Sequence, residues 1–348
     1  MLIKADIKSH TLSELNTEFS EAGLPKYRAK QVFQWLHRGV SSFSEMTDLS
    51  KELRYSLEQK YAIYTAETEL KRISKDGTIK YLFRLHDGEH VESVLMNYHH
   101  GTSVCISTQV GCKMNCTFCA TGKSGFSRNL EASEILAQVQ AASRDIGERV
   151  SNIVLMGMGE PLDNYDNVLR FLELVSSPDG MNIGMRHISL STCGIVDKIY
   201  DLADRRLQLT LSVSLHAPND EIRSRTMPVN KKWGIDELLK ACKYYSDRTG
   251  RRISFEYAMI HGINDSDNCA RELAVRLKGI LAHVNLIPVN DVTGTGYRRS
   301  GLERQKRFIS ILGAQGITAT VRRTLGADIE ASCGQLKRKH DEEGMFGD

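Results

Sequence analysis

Four of the eight cysteines in this 348-residue chain, Cys105, Cys112, Cys116 and Cys119, fall within fifteen residues. Cys193, Cys242 and Cys269 stand alone, and Cys333 sits near the end in Ala331-Ser332-Cys333-Gly334-Gln335. This is too sparse for a disulfide scaffold, and clustered cysteines in a reducing cytosol point to metal binding or redox chemistry. Cys112, Cys116 and Cys119 have the form CxxxCxxC, three thiolates close enough to grip one face of an iron–sulfur cube. A [4Fe–4S] cluster normally takes four cysteines, so three in one loop leave one iron open to a ligand from outside the chain. Structural zinc asks for four protein ligands, and this loop lacks the fourth. A loop of merely structural cysteines is the third reading.

The hydrophobic pattern indicates which elements must hold that loop. From Thr11 to about Lys60 it is helical, punctuated by Gly23-Leu24-Pro25 and Gly39. Over 63–97 it changes to short β-like runs, Lys80–Leu85 and Val91–Met96, set off by turn signals at Lys75-Asp76-Gly77 and Asp87-Gly88. A domain boundary is expected near residue 97. Beyond it, strand-like runs at Val104–Ser107, Asn152–Met156, His187–Ser191, Leu209–Leu215, Ile253–Ile260, His283–Pro288 and Ile317–Val321 alternate with amphipathic helices such as Glu131–Ala142 and Ile235–Tyr245. Such alternation implies parallel strands with right-handed crossovers, hence a complete or partial (βα) barrel or a doubly wound sheet. In a barrel, chemistry gathers at the carboxyl ends of the strands. Cys112–Cys119 follow the first run, Gly157-Met158-Gly159-Glu160-Pro161 the second, Ser191-Thr192 the third, Ser214-Leu215-His216 the fourth and Asn290 the sixth.

Composition narrows the classes. At roughly 150 residues per domain the length allows about two domains. Hydrophobic content of 41% with 26% charged residues excludes a disordered chain. Lys plus Arg at 46 against Asp plus Glu at 43 leaves +3, so a nucleic-acid partner must be met by local basic patches. No run of 18 apolar residues suggests a membrane span, and Lys4, Asp6, Lys8 and Glu14 occupy the start where a signal peptide would be apolar. The expectation is a cytoplasmic protein with no membrane partner.

The cysteine spacing, with Phe118 before the last cysteine, resembles the radical S-adenosylmethionine (SAM) superfamily. The resemblance implies a [4Fe–4S] cluster on Cys112, Cys116 and Cys119 whose open iron is chelated by SAM, and a 5′-deoxyadenosyl radical as product. Gly159-Glu160 is similar to the superfamily segment that receives the SAM ammonium, glycine admitting close backbone approach and the carboxylate pairing with the charge.

Four longer segments sharpen the likeness: Cys105–Cys112, Ser214–Asp220, Asn285–Asn290 and Asp328–Leu336. In order and spacing, from about Leu24 to Leu336, the chain resembles the RlmN/Cfr family of RNA methyltransferases. That resemblance implies an α/β fold, a partial (βα)6 TIM-type barrel of the radical SAM kind, arranged as an N-terminal helical accessory (RNA-binding) domain over 1–60, a short β-rich connector over 61–97 and a core over 98–348. It implies methylation of carbon 2 of adenosine 2503 in 23S rRNA, in the peptidyl transferase centre, and of adenosine 37 in tRNA, with two SAM molecules per turnover. Carbon 2 of adenine, flanked by two nitrogens, is too electron-poor to attack a sulfonium methyl, so a radical must attack it.

By the same resemblance Cys333 carries the methyl group and Cys105 takes the proton from the RNA adduct. Cys105 then forms a disulfide with Cys333, which an external thiol reductant opens. Glu92 matches a glutamate that contacts the adenine edge. Gly159, Glu160, Ser191, Ser214, Leu215, His216 and Asn290 match SAM-binding positions, His216 being readable also as a satisfied core histidine. An external electron donor of flavodoxin type feeds the cluster. Lys26, Arg28, Lys30 and Arg38 among Tyr27, Phe33 and Trp35, and Arg298, Arg299, Arg304, Lys306 and Arg307 against Glu303 alone, are candidate phosphate contacts. Competing readings are Cfr-type methylation of carbon 8 of the same adenosine, a glycyl-radical activase, and a non-catalytic RNA-binding protein with a structural cluster. Pro161 after Glu160, where the Cfr type has alanine, and Pro288 favour carbon 2.

Overall fold

A single ten-stranded sheet, entered at Glu67, carries the chain into the loops that matter chemically. The structure, a computed structural model, describes residues 4–99, 101–289, 296–323, 325–329 and 336–337. In the amino-terminal region β1 (Ala5–Asp6) and β2 (Tyr61–Ala62) pair in parallel around helices α1 (Leu12–Glu21), α2 (Lys26–His37) and α3 (Lys51–Lys60). Thr11 and Glu14 form a capping box at the start of α1, their side chains bonding each other's main-chain N–H at 3.2 and 2.8 Å. Leu15, Phe19, Val32, Phe33 and Leu36 turn inward as one core.

The β-like runs are β3 (Glu67–Ile73), β4 (Ile79–Arg84) and β5 (His90–Tyr98), antiparallel to one another and to β6 (Gly101–Cys105). The segment expected as a connector is therefore continuous with the core, and residue 97 lies within the β5–β6 hairpin, Asn97 facing Thr102. After β6 comes a small hairpin, β7 (Gln109–Gly111) with β8 (Phe126–Asn129), which encloses the cysteine loop and the short helix α4 (Ala120–Lys123). Helix α5 (Ala132–Ile146) leads to β9 (Asn152–Leu155), α6 (Tyr165–Ser176) to β10 (Ile188–Thr192), and α7 (Val196–Asp204) to β11 (Thr210–Ser214). Helices α8 (Asp220–Thr226) and α9 (Ile235–Thr249) precede β12 (Ile253–Met259), α10 (Asp267–Leu277) precedes β13 (Ala282–Pro288), and α11 (Leu302–Ala314) precedes β14 (Ala319–Val321). The order β14-β13-β12-β11-β10-β9-β6-β5-β4-β3 makes ten strands, parallel from β14 to β6, with β14 and β3 as edges, so the barrel is partial. Every strand-like run in the sequence becomes a strand, with ends that coincide or move by up to three residues. No helix among the described residues is long and apolar enough to cross a membrane.

The two faces of the sheet differ in chemistry because side chains alternate along each strand. Leu190, Leu211, Val213, Phe255, Tyr257, Val284 and Leu286 are buried in the core on the helix side. Register carries the other face from Cys105 to Val154, to Ser189 and to Thr210, and two residues along from Ser191 to Ser212, Ser254 and His283. Ser214, Glu256 and Asn285 continue that concave face.

Arg223 on α8 braces the strand ends. Fully buried, its guanidinium donates to the carbonyls of Leu215 (3.1 Å), Cys193 (2.6 Å) and Ser214 (3.2 Å) and to Asn230 Oδ1 (2.9 Å). It thus joins the loops after β10 and β11. Arg223→Met strands these buried acceptors and should cost about 3 kcal/mol of stability, read as a lower urea midpoint at unchanged slope. Arg223→Lys, which lacks the planar fork, should recover only part of it.

Candidate active site

The cysteine loop is shaped by its own main chain. Gly111 has φ +79° and a Cβ there would meet the Gly125 carbonyl oxygen at 2.1 Å, so only glycine lets β7 and β8 close beneath the loop. The Cys112 N–H donates to the Gly125 carbonyl (2.7 Å) and the Cys119 N–H to that of Cys116 (3.1 Å). From the far side, the Thr117 N–H reaches the Thr226 carbonyl at 2.9 Å and its hydroxyl lies 2.8 Å from Tyr297 Oη.

A cavity of about 290 Å³ opens between this loop and the carboxyl ends of the parallel strands, lined by Cys112, Cys116 and Cys119 with Gly159, Glu160, Ser191, Ser214 and His216. Burial pushes the Cys112 thiol up to about 12 and raises Cys116 as well. Among the described residues no three His, Cys, Asp or Glu side chains converge as a single-ion site. Three thiols spread along one wall fit a cube better than a lone zinc, since each cysteine of a cluster holds a different iron.

Opposite the loop, the turn after β9 depends on close packing. A Cβ on Gly157 would lie 2.5 Å from the Ile106 carbonyl carbon, and one on Gly159, at φ +100°, would lie 2.6 Å from Gln109 Cβ. Glycine is thus required at Gly159 by the chain itself. Buried Gln109 then fixes the turn, Oε1 accepting the Glu160 N–H and Nε2 donating to Asn129 and Asp163, each at 2.8 Å. The Glu160 carboxylate accepts the N–H groups of Leu162 (3.0 Å) and Cys193 (2.7 Å). Burial raises its pKa, and among the described residues it makes no ion pair. The Thr192 and Cys193 side chains bond it as well, and a buried carboxylate that lines a cavity with no cation beside it suits an incoming ammonium.

His216 is both a core histidine and a cavity residue. Its Nδ1 accepts the Ala258 N–H at 2.9 Å, its φ is +58°, and the edge of Phe118 meets its ring at 4.9 Å. Burial holds its pKa down to about 3, so the ring is neutral, and with Nδ1 accepting, Nε2 carries the hydrogen. Leu215 is not among the lining residues; its side chain joins the core and its N–H and carbonyl are taken by Glu256 and Arg223. Asn290 and Cys333 lie outside the described residues.

Cys105 and Glu92 lie on the same concave face. Cys105 pairs with Val94, two residues along from Glu92. Cys105 is buried and packed with Val94 and Met96, and partly buried Met156 and Leu325 pack against the same cluster. Met156 also lines the main cavity, so the two regions adjoin. Fully buried Glu92 forms an ion pair with fully buried Lys80 at 3.1 Å and accepts the Lys337 N–H at 2.7 Å. Ser107 ties this strand to the glycine turn, its hydroxyl donating to the Glu92 carbonyl (2.6 Å) and accepting the Met158 N–H (2.9 Å).

Several lining residues were not expected. Glu256, buried and raised in pKa by that burial, accepts from Ser254 Oγ (2.9 Å) and Asn285 Nδ2 (2.7 Å), and Arg322 and Cys193 line the same cavity. A glutamate inside the apolar run Ile253–Ile260 was the available signal for the first. The basic patches are also less free than their sequence implies. Lys30 pairs with Asp179 at 2.7 Å, Arg304 and Arg307 share Asp267, Lys306 pairs with Glu303, and Phe33 is buried, although Tyr27 is 57% exposed beside the Arg28 guanidinium.

Comparison with known proteins agrees with this geometry. Residues 106–272 match the family model of the radical SAM superfamily, and residues 5–63 match that of the ribosomal RNA large subunit methyltransferase N-terminal domain. A probable dual-specificity RNA methyltransferase RlmN of Alkaliphilus oremlandii is 54% identical over 338 residues, 97% of this chain and 98% of that protein. Its counterpart in Thermoanaerobacter sp. X514 is 50% identical, over 97% of this chain and 99% of that one. The crystal structure of a radical SAM methyltransferase from Sphaerobacter thermophilus superposes with a TM-score of 0.91 at 46% identity, covering 95% of this chain and 98% of that one. With a match across nearly its whole length, this chain belongs to the RlmN family of dual-specificity RNA methyltransferases in the radical SAM superfamily.

Proposed function

We propose that this chain methylates carbon 2 of an adenosine in the peptidyl transferase centre of 23S rRNA and of an adenosine in tRNA, through a methyl group carried on Cys333. The observation that carries the reading is the shared face: Glu92 and Cys105 stand on the concave side of the sheet beside the cysteine-lined cavity, with Leu325 and Lys337, from either side of Cys333 in sequence, packed or bonded there.

Cys112, Cys116 and Cys119 would hold a [4Fe–4S] cluster, and Gly159, Glu160, Ser191, Ser214 and His216 would hold SAM, with Asn290 as a further candidate. When bound, these groups supply the methyl cation and the 5′-deoxyadenosyl radical. The chain's own residues do the rest. Glu160 takes the ammonium, and serine hydroxyls and the His216 Nε2–H serve ribose and base. The Cys333 sulfur, once methylated, gives up a hydrogen atom from its methyl group, and the resulting carbon radical adds to carbon 2 of the base. The adduct's unpaired electron would return to the oxidised cluster, and Cys105 removes the proton from carbon 2. The Cys105 thiolate then bonds to the Cys333 sulfur, breaking the bond from Cys333 sulfur to carbon, and the departing methylene carbon takes up one proton to leave the RNA with a methyl group. An external thiol reduces the disulfide, and a flavodoxin-like donor supplies the electron for the cluster. Glu92 holds the adenine edge.

Three measurements test this. Cys333→Ala should abolish RNA methylation with iron–sulfur absorbance intact, an outcome a glycyl-radical activase would not produce, while Cys105→Ala should accumulate a covalent RNA–protein adduct that survives denaturing electrophoresis. Nucleoside mass spectrometry of both RNA classes after anaerobic turnover should find 2-methyladenosine; 8-methyladenosine alone would mean Cfr-type chemistry. Glu160→Gln should weaken SAM binding about tenfold or more in anaerobic equilibrium dialysis, the worth of a charge-assisted bond, without loss of fold by circular dichroism.

A further inference from the structure

The residues on both sides of Cys333 in sequence are fastened to the antiparallel flank of the sheet. Before it, Asp76 in the β3–β4 turn accepts the Gly326 N–H through Oδ2 at 2.8 Å while Oδ1 accepts the Thr78 N–H at 2.9 Å. Asp328 answers in the opposite direction, its carboxylate accepting the Ser74 hydroxyl and the Lys75 N–H, the latter at 3.1 Å. After Cys333, Glu92 accepts the Lys337 N–H, and the Lys337 ammonium lies 3.5 Å from Glu89.

Two features mark this as more than incidental contact. Asp76 and Asp328 stand close enough for each charge to be felt by the other, which by itself disfavours the arrangement, yet both are drawn below the ordinary carboxylate range. For Asp76 the largest cause is the Gly326 N–H, and for Asp328 the Ser74 hydroxyl. At the other end, the ion pair from Lys80 fixes Glu92: register pairs Lys80 with Val94 and Leu82 with Glu92, making the two charged residues diagonal neighbours on one face. Only eight residues lie between Asp328 and Lys337. Tying both ends of so short a span limits what the atoms between them can reach, and raises their effective concentration at a fixed target.

We propose that Asp76 and Asp328 are positioning residues for the carrier step: their clasp, together with the Lys80–Glu92 anchor, holds both flanks of the Cys333 stretch on the face that presents Cys105. This rests on the reading of Cys333 as the methyl carrier. Neither aspartate touches the cavity or its ligands.

The test uses full-length, cluster-loaded protein and the variants Asp76→Ala, Asp76→Asn and Asp328→Ala. Peptide-resolved hydrogen exchange should quicken about fivefold to tenfold over 325–337 in the alanine variants, the worth of one or two lost hydrogen bonds, and nowhere in the barrel. Under anaerobic glutathione disulfide, two protein thiols exchange with one oxidised glutathione to give the Cys105–Cys333 disulfide and two reduced glutathiones. The rate of that exchange should fall by a similar factor in the alanine variants and by less in Asp76→Asn, which keeps one of the two acceptor oxygens. SAM cleavage to 5′-deoxyadenosine without RNA should be unchanged. Unaltered exchange over 325–337, or altered exchange with an unaltered disulfide rate, overturns the proposal, as does protection lost throughout the protein. If wild type forms no such disulfide, the carrier reading fails instead, and hydrogen exchange alone judges the clasp.

Discussion

One sheet, unbroken from its antiparallel flank into its parallel strands, decides where each reactive group ends up. Strand pairing fixes register, and register fixes facing, because a slip of one residue would move every side chain to the opposite side. Val94 pairs with Cys105, and Cys105 with Val154, so the flank and the barrel share one concave surface. A thiol on β6 and a carboxylate on β5 thereby stand beside a cavity built mainly by loops after β6, β9, β10 and β11. Had the β-rich segment been a separate domain on a linker, that relation would vary with every motion of the linker.

The site also depends on how charge is buried. Glu160 sits without a cation among the described residues, its negative charge carried by main-chain N–H groups. Arg223 sits without a carboxylate in contact, its charge carried by main-chain carbonyls at strand ends. Both arrangements cost desolvation that a simple ion pair would offset more cheaply. They differ in where they stand: Arg223 is enclosed by the loop carbonyls around its fork, whereas Glu160, bonded by Leu162, Cys193 and the Thr192 side chain, also lines the cavity. The first braces the loops, and the second is poised to gain most when a positively charged group enters.

Much of this was legible in the sequence. The parallel strands followed from alternation, and Cys112, Cys116, Cys119, Gly159, Glu160, Ser191, Ser214 and His216 all fell at or beyond the carboxyl ends of expected strands and all line the cavity. What stayed hidden depends on pairing between distant segments. Arg223 lies in Asp220-Glu221-Ile222-Arg223-Ser224-Arg225, which reads as a solvated helix face, and nothing local says that one arginine of the two turns inward. Lys80 alternates with apolar neighbours in β4, yet only register with β5 brings it to Glu92. Leu215 was placed with its neighbours by motif, but alternation along β11 sends it to the core side. The basic stretches looked unopposed because their counter-charges, Asp179 and Asp267, come from remote helices and loops.

The interior of the partial barrel departs from what usually fills a (βα) barrel, where layers of branched aliphatic side chains pack the centre. Here Ser189, Ser191, Ser212, Ser214 and Ser254 occupy much of that face, with Glu256 and Asn285 among them. Small hydroxyl side chains leave volume beneath the cavity. Stability must then come from the outer face, where aliphatic and aromatic residues of the same strands meet α5 to α11. The strands therefore divide their labour by parity: one set of alternate positions buries apolar area against helices, and the other offers hydrogen-bonding groups to a polar guest. A substitution of serine by valine inside would add packing at the expense of that room and of the hydroxyl.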